Sequence, residues 1–228
     1  MISRLRKYLG PVLVGAVSLA TVTSAAPAKP SWLTTFTLTE QGSHIVGNPK
    51  APIKVVEYLS YTCGHCATFE AKDAPVLKTQ YVATGKASLE IRNMVLNAYD
   101  LTAAVLARCG GRDRFFGNQK HLMATQSVWM GKSSNISAAT KAKLQAEDYH
   151  GFMAGAYIEL GLSPIMQQRG VTPTQAKTCL ADKASLKAVI DMTDAGAALG
   201  VHGTPSFLVN GKLQDHVHSF AELKAVLK

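Results

Sequence analysis

The order of hydrophobic and polar positions predicts a β-α-β unit in the first half of the chain. Residues 53–60, IKVVEYLS, are β-branched and largely apolar, which is typical of a strand covered on both faces. From Cys63 to about Ala83, apolar residues recur at spacings of three and four, which predicts a helix that Pro75 should kink. Residues 87–96, ASLEIRNMVL, then predict a second strand.

A long helical region follows, and strand patterns return only near the end of the chain. Helical spacing of apolar residues continues from about Tyr99 to Leu199. The segment PSFLVNGKLQDHVHS predicts a hairpin with its turn at Asn210-Gly211. The last residues, SFAELKAVLK, predict an amphipathic helix with Ser219 as its N-cap. The predicted order is therefore β-α-β, a helical block, and β-β-α.

The first 28 residues have the layout of a secretory signal peptide. An apolar stretch over residues 8–20 separates a basic start from a tail of small residues, and it is short for a membrane helix. We therefore expect a signal peptide over residues 1–28, with cleavage after Ala25 or Ala28, rather than a retained anchor. This predicts a periplasmic protein. The basic residues of the segment are Arg4, Arg6 and Lys7.

Charge and hydropathy argue against a nucleic-acid partner and against a mature chain that spans a membrane. The net charge of +9 at pH 7 becomes +6 once the three basic residues of the leader are removed, because residues 1–28 contain no acid. The remaining basic residues are scattered, without the clustered arginines and aromatic residues of a nucleic-acid surface. No later segment has 18 uninterrupted apolar residues. We expect a soluble mature chain with no nucleic-acid partner.

Four cysteines are present, and Cys63 and Cys66 form a C-G-H-C motif. A zinc site needs about four ligands, usually with a second close pair, whereas Cys109 and Cys179 are isolated. Haem attachment needs a histidine directly after the second cysteine, where Ala67 stands. A structural disulfide across two residues is strained and uncommon. The motif therefore favours disulfide exchange, with no metal and no cofactor, and the metal and structural roles are the weaker alternatives.

The position of Cys63 suits the chemistry of disulfide exchange. The cysteine lies where the predicted strand gives way to a helix, so unpaired backbone N–H groups and the helix dipole should stabilise its thiolate. His65, if protonated, adds to this effect. A stabilised thiolate favours the reduced protein, which makes the oxidised protein a stronger oxidant.

At this point the sequence resembles a known family. The segments VVEYLSYTCGHC and GVHGTPSFLVNG, with IVGNPKAPIKVVEY upstream, resemble the DsbA-like thiol:disulfide oxidoreductases of the thioredoxin superfamily over about residues 44–228. The resemblance implies an α/β protein with a thioredoxin fold and an inserted α-helical domain. On this basis we assign residues 29–98 and 197–228 to the thioredoxin domain and residues 99–196 to the insertion.

The resemblance also implies roles for individual residues. Cys63 is the exposed nucleophile and Cys66 the buried resolving thiol. Glu57, six residues before Cys63, is implied to be a buried acid that relays the proton of Cys66. An ordinary solvent-facing strand glutamate is the alternative. Thr204-Pro205 resembles the cis-proline loop of the family, which pairs with an extended substrate.

The family implies an enzyme that introduces disulfide bonds into unfolded or partly folded exported proteins with free cysteines. Its reoxidation partner would be a quinone-linked membrane oxidase of the DsbB type, and we expect a monomer. The dipeptide Gly64-His65 departs from the usual Cys-Pro-His-Cys form and matches protein disulfide isomerases. An isomerase or reductase kept reduced by a membrane donor is therefore an alternative, and a redox-inactive, chaperone-like binding module is a further one.

The two remaining cysteines differ in character from the motif. Cys109 and Cys179 both lie in the predicted helical region, 70 residues apart. A bond between them would stabilise the fold by about 4 kcal/mol through the entropy of the unfolded chain. We predict a structural disulfide, and two free buried thiols are the alternative.

Overall fold

The computed structural model of the chain describes residues 31–227, so the predicted signal peptide lies outside the described residues. Six strands form one mixed sheet in the order β1-β2-β4-β3-β5-β6. Only the β3–β4 pair of this sheet is parallel, as expected for a β-α-β unit. The strands are β1 (Phe36–Leu38), β2 (His44–Gly47), β3 (Ile53–Leu59), β4 (Ala87–Asn93), β5 (Ser206–Val209) and β6 (Lys212–Gln214).

Eight of the eleven α-helices within residues 31–227 lie between β4 and β5. The predicted α/β fold class, a thioredoxin fold with an inserted helical region, is confirmed. No helix within these residues combines the length and apolar character needed to cross a bilayer. The helices are α1 (Gly64–Lys72), α2 (Ala74–Leu77), α3 (Ala98–Ala107), α4 (Arg112–Ala124), α5 (Gln126–Met130), α6 (Ala138–Gln145), α7 (Tyr149–Glu159), α8 (Leu162–Gln167), α9 (Pro173–Leu180), α10 (Lys183–Ala198) and α11 (Phe220–Val226).

The sheet register brings two distant segments together. Strand β3 lies between β4 and β5, and its apolar residues are covered on both faces, as its sequence predicts. Strand β5 runs antiparallel to β3, with Tyr58 opposite Ser206. The start of β5 therefore lies beside the end of β3. This register places the Thr204-Pro205 loop next to the turn that carries Cys63.

The first predicted helix is divided where Pro75 interrupts it. Helix α1 ends at Lys72, and α2 begins at Ala74 with proline in its first turn. Proline has no backbone N–H to continue the hydrogen bonds of α1, but its fixed φ suits the start of a helix. The predicted kink thus falls at Asp73, a single residue with helical backbone angles between the two helices, and a π-helical turn follows α2 at Lys78–Val82.

The second strand ends earlier than its apolar pattern predicts. Residues 94–96 continue the hydrophobic run but lie beyond the end of β4 at Asn93. The N–H of Val95 donates to Thr193 Oγ1 at 3.1 Å, and that of Leu96 to Asp100 Oδ2 at 2.9 Å. Side chains of the helical region thus take up the hydrogen bonds that a further strand would have made.

A disulfide joins the end of α3 to the last turn of α9. Cys109 lies just beyond α3 and is buried, whereas Cys179 lies in the last turn of α9 and is partly exposed. Their Cα atoms are 5.7 Å apart, and the bond closes a separation of 70 residues. The bond therefore connects helices that are distant in sequence and constrains the unfolded chain strongly.

We expect the Cys109→Ala/Cys179→Ala variant to lose about 4 kcal/mol of free energy of unfolding, because the unfolded chain regains the entropy of a long open loop. Urea unfolding of the two proteins under non-reducing conditions measures the loss. The Cys63→Ala/Cys66→Ala variant is the control, since it removes the same number of sulfur atoms but opens only a short loop. An unchanged urea midpoint in the Cys109/Cys179 variant would contradict a stabilising role.

Candidate functional site

The redox motif lies at the junction of β3 and α1. Strand β3 ends at Leu59, and a turn closed by the Cys63 N–H and the Ser60 carbonyl, 3.3 Å apart, leads to Cys63. Cys63 is the N-cap of α1, and its sulfur accepts the N–H of Cys66 at 3.4 Å. Both cysteines are free thiols in this structure. The sequence prediction of a cysteine at a strand-to-helix junction is confirmed.

The Cys63 sulfur is surrounded by groups that favour its thiolate. A hydrogen bond from the Cys66 thiol is the largest effect, and together with the Thr204 side chain and the backbone N–H groups of Cys66 and His65 it lowers the pKa of Cys63 from 9.0 to about 5. Partial burial opposes this change. Cys63 is therefore a thiolate at neutral pH. The structure gives His65 a role through its backbone, while its exposed side chain lies at the protein surface.

Cys66 has the opposite character. Its sulfur is fully buried, and its pKa is raised by the hydrogen bond to Cys63, by burial, and, once Glu57 is ionised, by the charge of that carboxylate. Cys66 therefore holds its proton and donates it in a hydrogen bond to the Cys63 thiolate. At neutral pH Cys63 is thus an accessible thiolate, and Cys66 is an inaccessible neutral thiol.

Glu57 lies in the core beneath the motif. It shares a face of β3 with Val55 and Leu59, and only 1% of its surface is exposed. Burial, reinforced by the charge of Glu70, raises the pKa of Glu57 from 4.5 to about 8, although Lys78 partly offsets the change. The buried position expected from the sequence is found. At neutral pH the folded protein holds this carboxyl group in its protonated form.

Three polar groups near Glu57 were not identified in the sequence. Glu70 on α1 is 4% exposed, and its carboxylate lies 3.0 Å from Lys78 Nζ and 3.1 Å from Gln119 Nε2. Glu70 lies four residues after Cys66, so the helical period places both side chains on the buried face of α1. That spacing is the signal by which Glu70 could have been found. The positions of Lys78 and Gln119 depend on tertiary packing.

The Thr204-Pro205 loop completes the site. The peptide bond between these residues is cis. In its protonated form Cys63 donates to the Thr204 carbonyl at 3.1 Å, while the buried Thr204 hydroxyl has no hydrogen-bond partner within the described part of the chain. The hydroxyl is thus free to donate to the Cys63 thiolate, which agrees with its effect on the pKa of that sulfur.

A surface cleft of about 440 Å³ lies between the Thr204-Pro205 loop and His65, two residues after Cys63. His218 adds a side chain that the sequence analysis did not assign to the site, and its Nδ1 lies 3.3 Å from the Pro205 carbonyl. The cleft has the position expected for a peptide segment whose cysteine approaches Cys63. It is lined by His65, Gly203, Thr204, Pro205, Ser206 and His218.

The helical insertion also contacts the motif. Asp100 accepts the N–H of Tyr61 at 2.7 Å, and its burial raises the pKa of Asp100 to about 6. Gln126 Nε2 donates to the carbonyls of Tyr61 and Cys63 at 2.8 and 2.9 Å. Just before the insertion, Asn97 Nδ2 donates to Thr62 Oγ1 at 2.9 Å. None of these four hydrogen bonds was predicted, because each joins residues that are far apart in the sequence.

The two cysteine pairs lie at opposite ends of their helices. Cys63 is at the N-terminus of α1, where the helix dipole stabilises an anion. Cys179 lies in the last turn of α9, and Cys109 follows the end of α3, so both would meet the negative ends of helices as thiolates. Within residues 31–227, no group of three or more His, Cys, Asp or Glu side chains is arranged to hold a metal ion. The helix dipoles thus favour a thiolate at Cys63 and disfavour one at Cys109 or Cys179.

Comparison with known proteins places this arrangement in context. The family model described as "Thioredoxin" matches residues 39–228. A Rickettsia bellii protein named "Putative protein-disulfide oxidoreductase" is 32% identical over 189 residues, which cover 82% of this chain and 64% of that protein. The chain therefore spans less than two thirds of the length of this relative.

Two solved structures have the same fold. The crystal structure of a protein-disulfide isomerase from Novosphingobium aromaticivorans has a TM-score of 0.74 and 32% identity, and the alignment covers 80% of this chain and 94% of that one. Wolbachia pipientis alpha-DsbA1 has a TM-score of 0.58 and 24% identity, with 80% and 87% covered. At its lower identity, the second match concerns the fold alone.

Proposed function

The chain belongs to the thioredoxin family, and from this membership we propose that it is a DsbA-like thiol:disulfide oxidoreductase that introduces disulfide bonds into exported proteins. One observation carries the proposal: the low pKa of Cys63 beside the buried, protonated Cys66. This arrangement stabilises the reduced pair. The oxidised pair is correspondingly ready to pass its disulfide to a client protein.

The reaction proceeds in two exchanges. A client thiolate attacks Cys63 Sγ of the oxidised protein, the Cys63–Cys66 bond breaks, and a mixed disulfide forms between the client and Cys63. A second client thiolate then attacks the client sulfur of this mixed disulfide and releases Cys63 as a thiolate. The client loses two electrons as its disulfide forms, and the Cys63/Cys66 pair gains them. The first exchange releases Cys66, and the second releases Cys63, the sulfur that the site stabilises as an anion.

The first exchange requires a proton for Cys66. A thiolate at this buried position would be costly, since it lacks solvent and lies near a carboxyl group. Glu57, whose pKa is about 8, is protonated at neutral pH and supplies the proton as Cys66 leaves. The reverse transfer removes that proton when the pair is reoxidised.

The magnitude of the change in pKa favours oxidation of clients over attack on them. Lowering the pKa of Cys63 from 9.0 to about 5 increases its thiolate fraction about a hundredfold at pH 7. Intrinsic nucleophilicity falls with thiol pKa, by roughly sixtyfold over this interval, so the rate of attack by Cys63 changes little. The reduction potential of the Cys63–Cys66 couple, however, rises by up to about 60 mV at pH 7, because the thiolate stabilises the reduced form. Solvent around the partly exposed sulfur limits this rise. The low pKa of Cys63 therefore changes the equilibrium of disulfide exchange more than the rate of attack by Cys63.

The proposal includes a location and partners. The clients are unfolded or partly folded exported proteins with free cysteines, which the cleft beside Thr204-Pro205 would bind as extended segments. The signal-peptide pattern of residues 1–28 supports a periplasmic location. Because each turnover leaves the pair reduced, the cycle needs an oxidant, which we propose is a quinone-linked membrane oxidase of the DsbB type. We propose that the protein acts as a monomer.

Isomerisation is the second candidate function. The dipeptide Gly64-His65 matches protein disulfide isomerases, and the similar Novosphingobium aromaticivorans structure is titled as one. An isomerase kept reduced by a membrane donor would use Cys63 to attack wrong disulfides. The redox-inactive binding module is disfavoured, because such a module has no need for a stabilised Cys63 thiolate.

The equilibrium of the purified protein with glutathione decides between the two directions. We expect the Cys63–Cys66 pair to have a potential more oxidising than about −180 mV, toward the value of about −120 mV found for strong periplasmic oxidants. Alkylation followed by mass spectrometry measures the reduced fraction. Cys109 and Cys179 should remain bonded throughout this titration. A potential near about −180 mV would favour the isomerase, and one near about −270 mV a reductase.

A further inference from the structure

Both backbone polar groups of Tyr61 are bound by side chains of the helical insertion. The N–H of Tyr61 donates to Asp100 Oδ1 at 2.7 Å, and its carbonyl accepts Gln126 Nε2 at 2.8 Å. Tyr61 is fully buried, so these groups have to be paired within the protein. The turn that precedes Cys63 therefore depends on residues 39 and 65 positions away for its hydrogen bonds.

Gln126 also reaches Cys63 itself. Its second amide hydrogen is directed at the Cys63 carbonyl, with Nε2 2.9 Å from that oxygen. Both acceptors are carbonyls, so only the amide nitrogen can face them, and this chemistry determines the orientation of the side chain. The Cys63 carbonyl receives one further hydrogen bond, from the Ala67 N–H at 3.2 Å, which is the first of α1. Gln126 thus bridges the turn and the start of the helix.

We propose that Gln126 is a positioning residue for the exchange reaction: its amide holds the Tyr61–Cys63 turn so that the Cys63 sulfur faces the N-terminus of α1. This role rests on the proposed function and extends it to the helical insertion. It assigns to α5, which begins at Gln126, a part in setting the acidity of the reactive sulfur.

The geometry of the sulfur makes it sensitive to small displacements of the turn. The Cys66 N–H lies 3.4 Å from Cys63 Sγ, which is already long for an ordinary hydrogen bond. If the turn loosens, this contact and the effect of the Thr204 hydroxyl on the sulfur weaken together, because the Cys63 backbone sets the position of its sulfur relative to both. The thiolate then loses stabilisation even though every group around it is still present.

The test replaces Gln126 and titrates Cys63 by the ultraviolet absorbance of its thiolate in the reduced protein. Gln126→Met retains the shape of the side chain and removes both donors, and we expect it to raise the pKa of Cys63 by about 0.5 to 1. Gln126→Glu adds a negative charge beside two carbonyls, and we expect a larger rise. Ser127→Ala, the adjacent exposed position on α5, is the matched control and should leave the titration unchanged.

The equilibrium with glutathione supplies a second readout. The Gln126→Met variant should favour the Cys63–Cys66 disulfide about three- to tenfold more than the unsubstituted protein does, in proportion to the change in thiolate stability. A role confined to stability of the fold would lower the unfolding midpoint and leave both the titration and this equilibrium unchanged. That result would overturn the proposal.

Two further outcomes are distinguishable. If Gln126→Met does not fold, Gln126→Asn carries the same test, because its amide is too short to reach both carbonyls, and an unchanged pKa of Cys63 would then count against the proposal. The thiolate titration needs no client protein. Failure of the unsubstituted protein to oxidise clients would therefore reject the proposed function, whereas an unchanged titration in the Gln126 variants rejects only the positioning role.

Discussion

Cys66→Ser is expected to accumulate a mixed disulfide on Cys63 when the reduced variant is mixed with a peptide that contains a disulfide. Cys63 is partly exposed, and its pKa of about 5 makes it a thiolate at pH 7 that attacks the peptide. Resolution requires the sulfur of Cys66, one helical turn inward, and a serine hydroxyl cannot take its place. The covalent complex should therefore persist, and intact-mass spectrometry detects it.

Removal of the Cys66 thiol also removes the largest stabilisation of the Cys63 anion. The serine hydroxyl can still donate a hydrogen bond, so we expect Cys63 of the variant to remain reactive. The Cys63→Ser variant is the counterpart, and it should form no adduct, since its one remaining motif cysteine is buried and protonated at neutral pH. An adduct on Cys66, or one that disappears from Cys66→Ser as fast as from the unsubstituted protein, would reverse the assigned roles.

The parts of the site that could be predicted from sequence depend on local patterns. Cys63 at a strand end, with Cys66 one helical turn later, follows from spacing alone. The N-cap of the last helix could also be predicted, and Ser219 forms the expected capping box with Glu222. In such cases the residues that interact are within a few positions of each other, so periodicity and capping rules describe them.

The parts that could not be predicted depend on tertiary packing. Gln126 contacts Cys63 across 63 positions, and its sequence surroundings resemble those of any polar residue at a helix start. Lys78 and Gln119 likewise meet Glu70 only because three separate helical segments pack together. The roles of Glu57 and Thr204 were implied by family resemblance rather than by any local pattern. The site is thus a locally specified motif within surroundings that only the folded chain assembles.

The helical insertion has a larger part in the site than its place between two halves of the thioredoxin domain suggests. It supplies the amide of Gln126 and the carboxylate of Asp100, both bound to the turn between β3 and α1, and Asn97, just before the insertion, binds the same turn. It also supplies Gln119, which holds Glu70 above the buried acid of β3. The insertion therefore supports the backbone of the nucleophile and the polar network near Glu57.

Glu57→Gln is expected to abolish a large loss of stability that the unsubstituted, reduced protein undergoes between pH 5 and pH 8. The pKa of Glu57 is 4.5 in its ordinary state and about 8 in the folded protein, because burial disfavours the charge. Between these values the unfolded chain releases a proton that the folded protein retains, so ionisation stabilises the unfolded state as pH rises. The loss between pH 5 and pH 8 amounts to about 3.5 kcal/mol, at 1.36 kcal/mol for each pKa unit.

Urea unfolding of the reduced proteins at pH 5 and pH 8 measures this difference. Other titrating groups, including Asp100 with its pKa of about 6, are present in both proteins and cancel when the two are compared. Glu40→Gln, at an exposed position, is the matched control and should follow the unsubstituted protein at both values. Equal pH dependence in Glu57→Gln and the unsubstituted protein would mean that Glu57 is charged in the folded state.

Glu57→Gln also distinguishes the effect of the buried acid on the stability of the fold from its role in disulfide exchange. Glutamine cannot exchange a proton with Cys66, so Glu57→Gln should slow disulfide exchange even while it stabilises the fold at pH 8. A variant that is more stable and slower indicates that the chain retains an unfavourable buried group for the sake of proton transfer. Stabilisation without any change in rate would leave the buried acid without a part in the chemistry, and the proton of Cys66 would then have to reach solvent by another route.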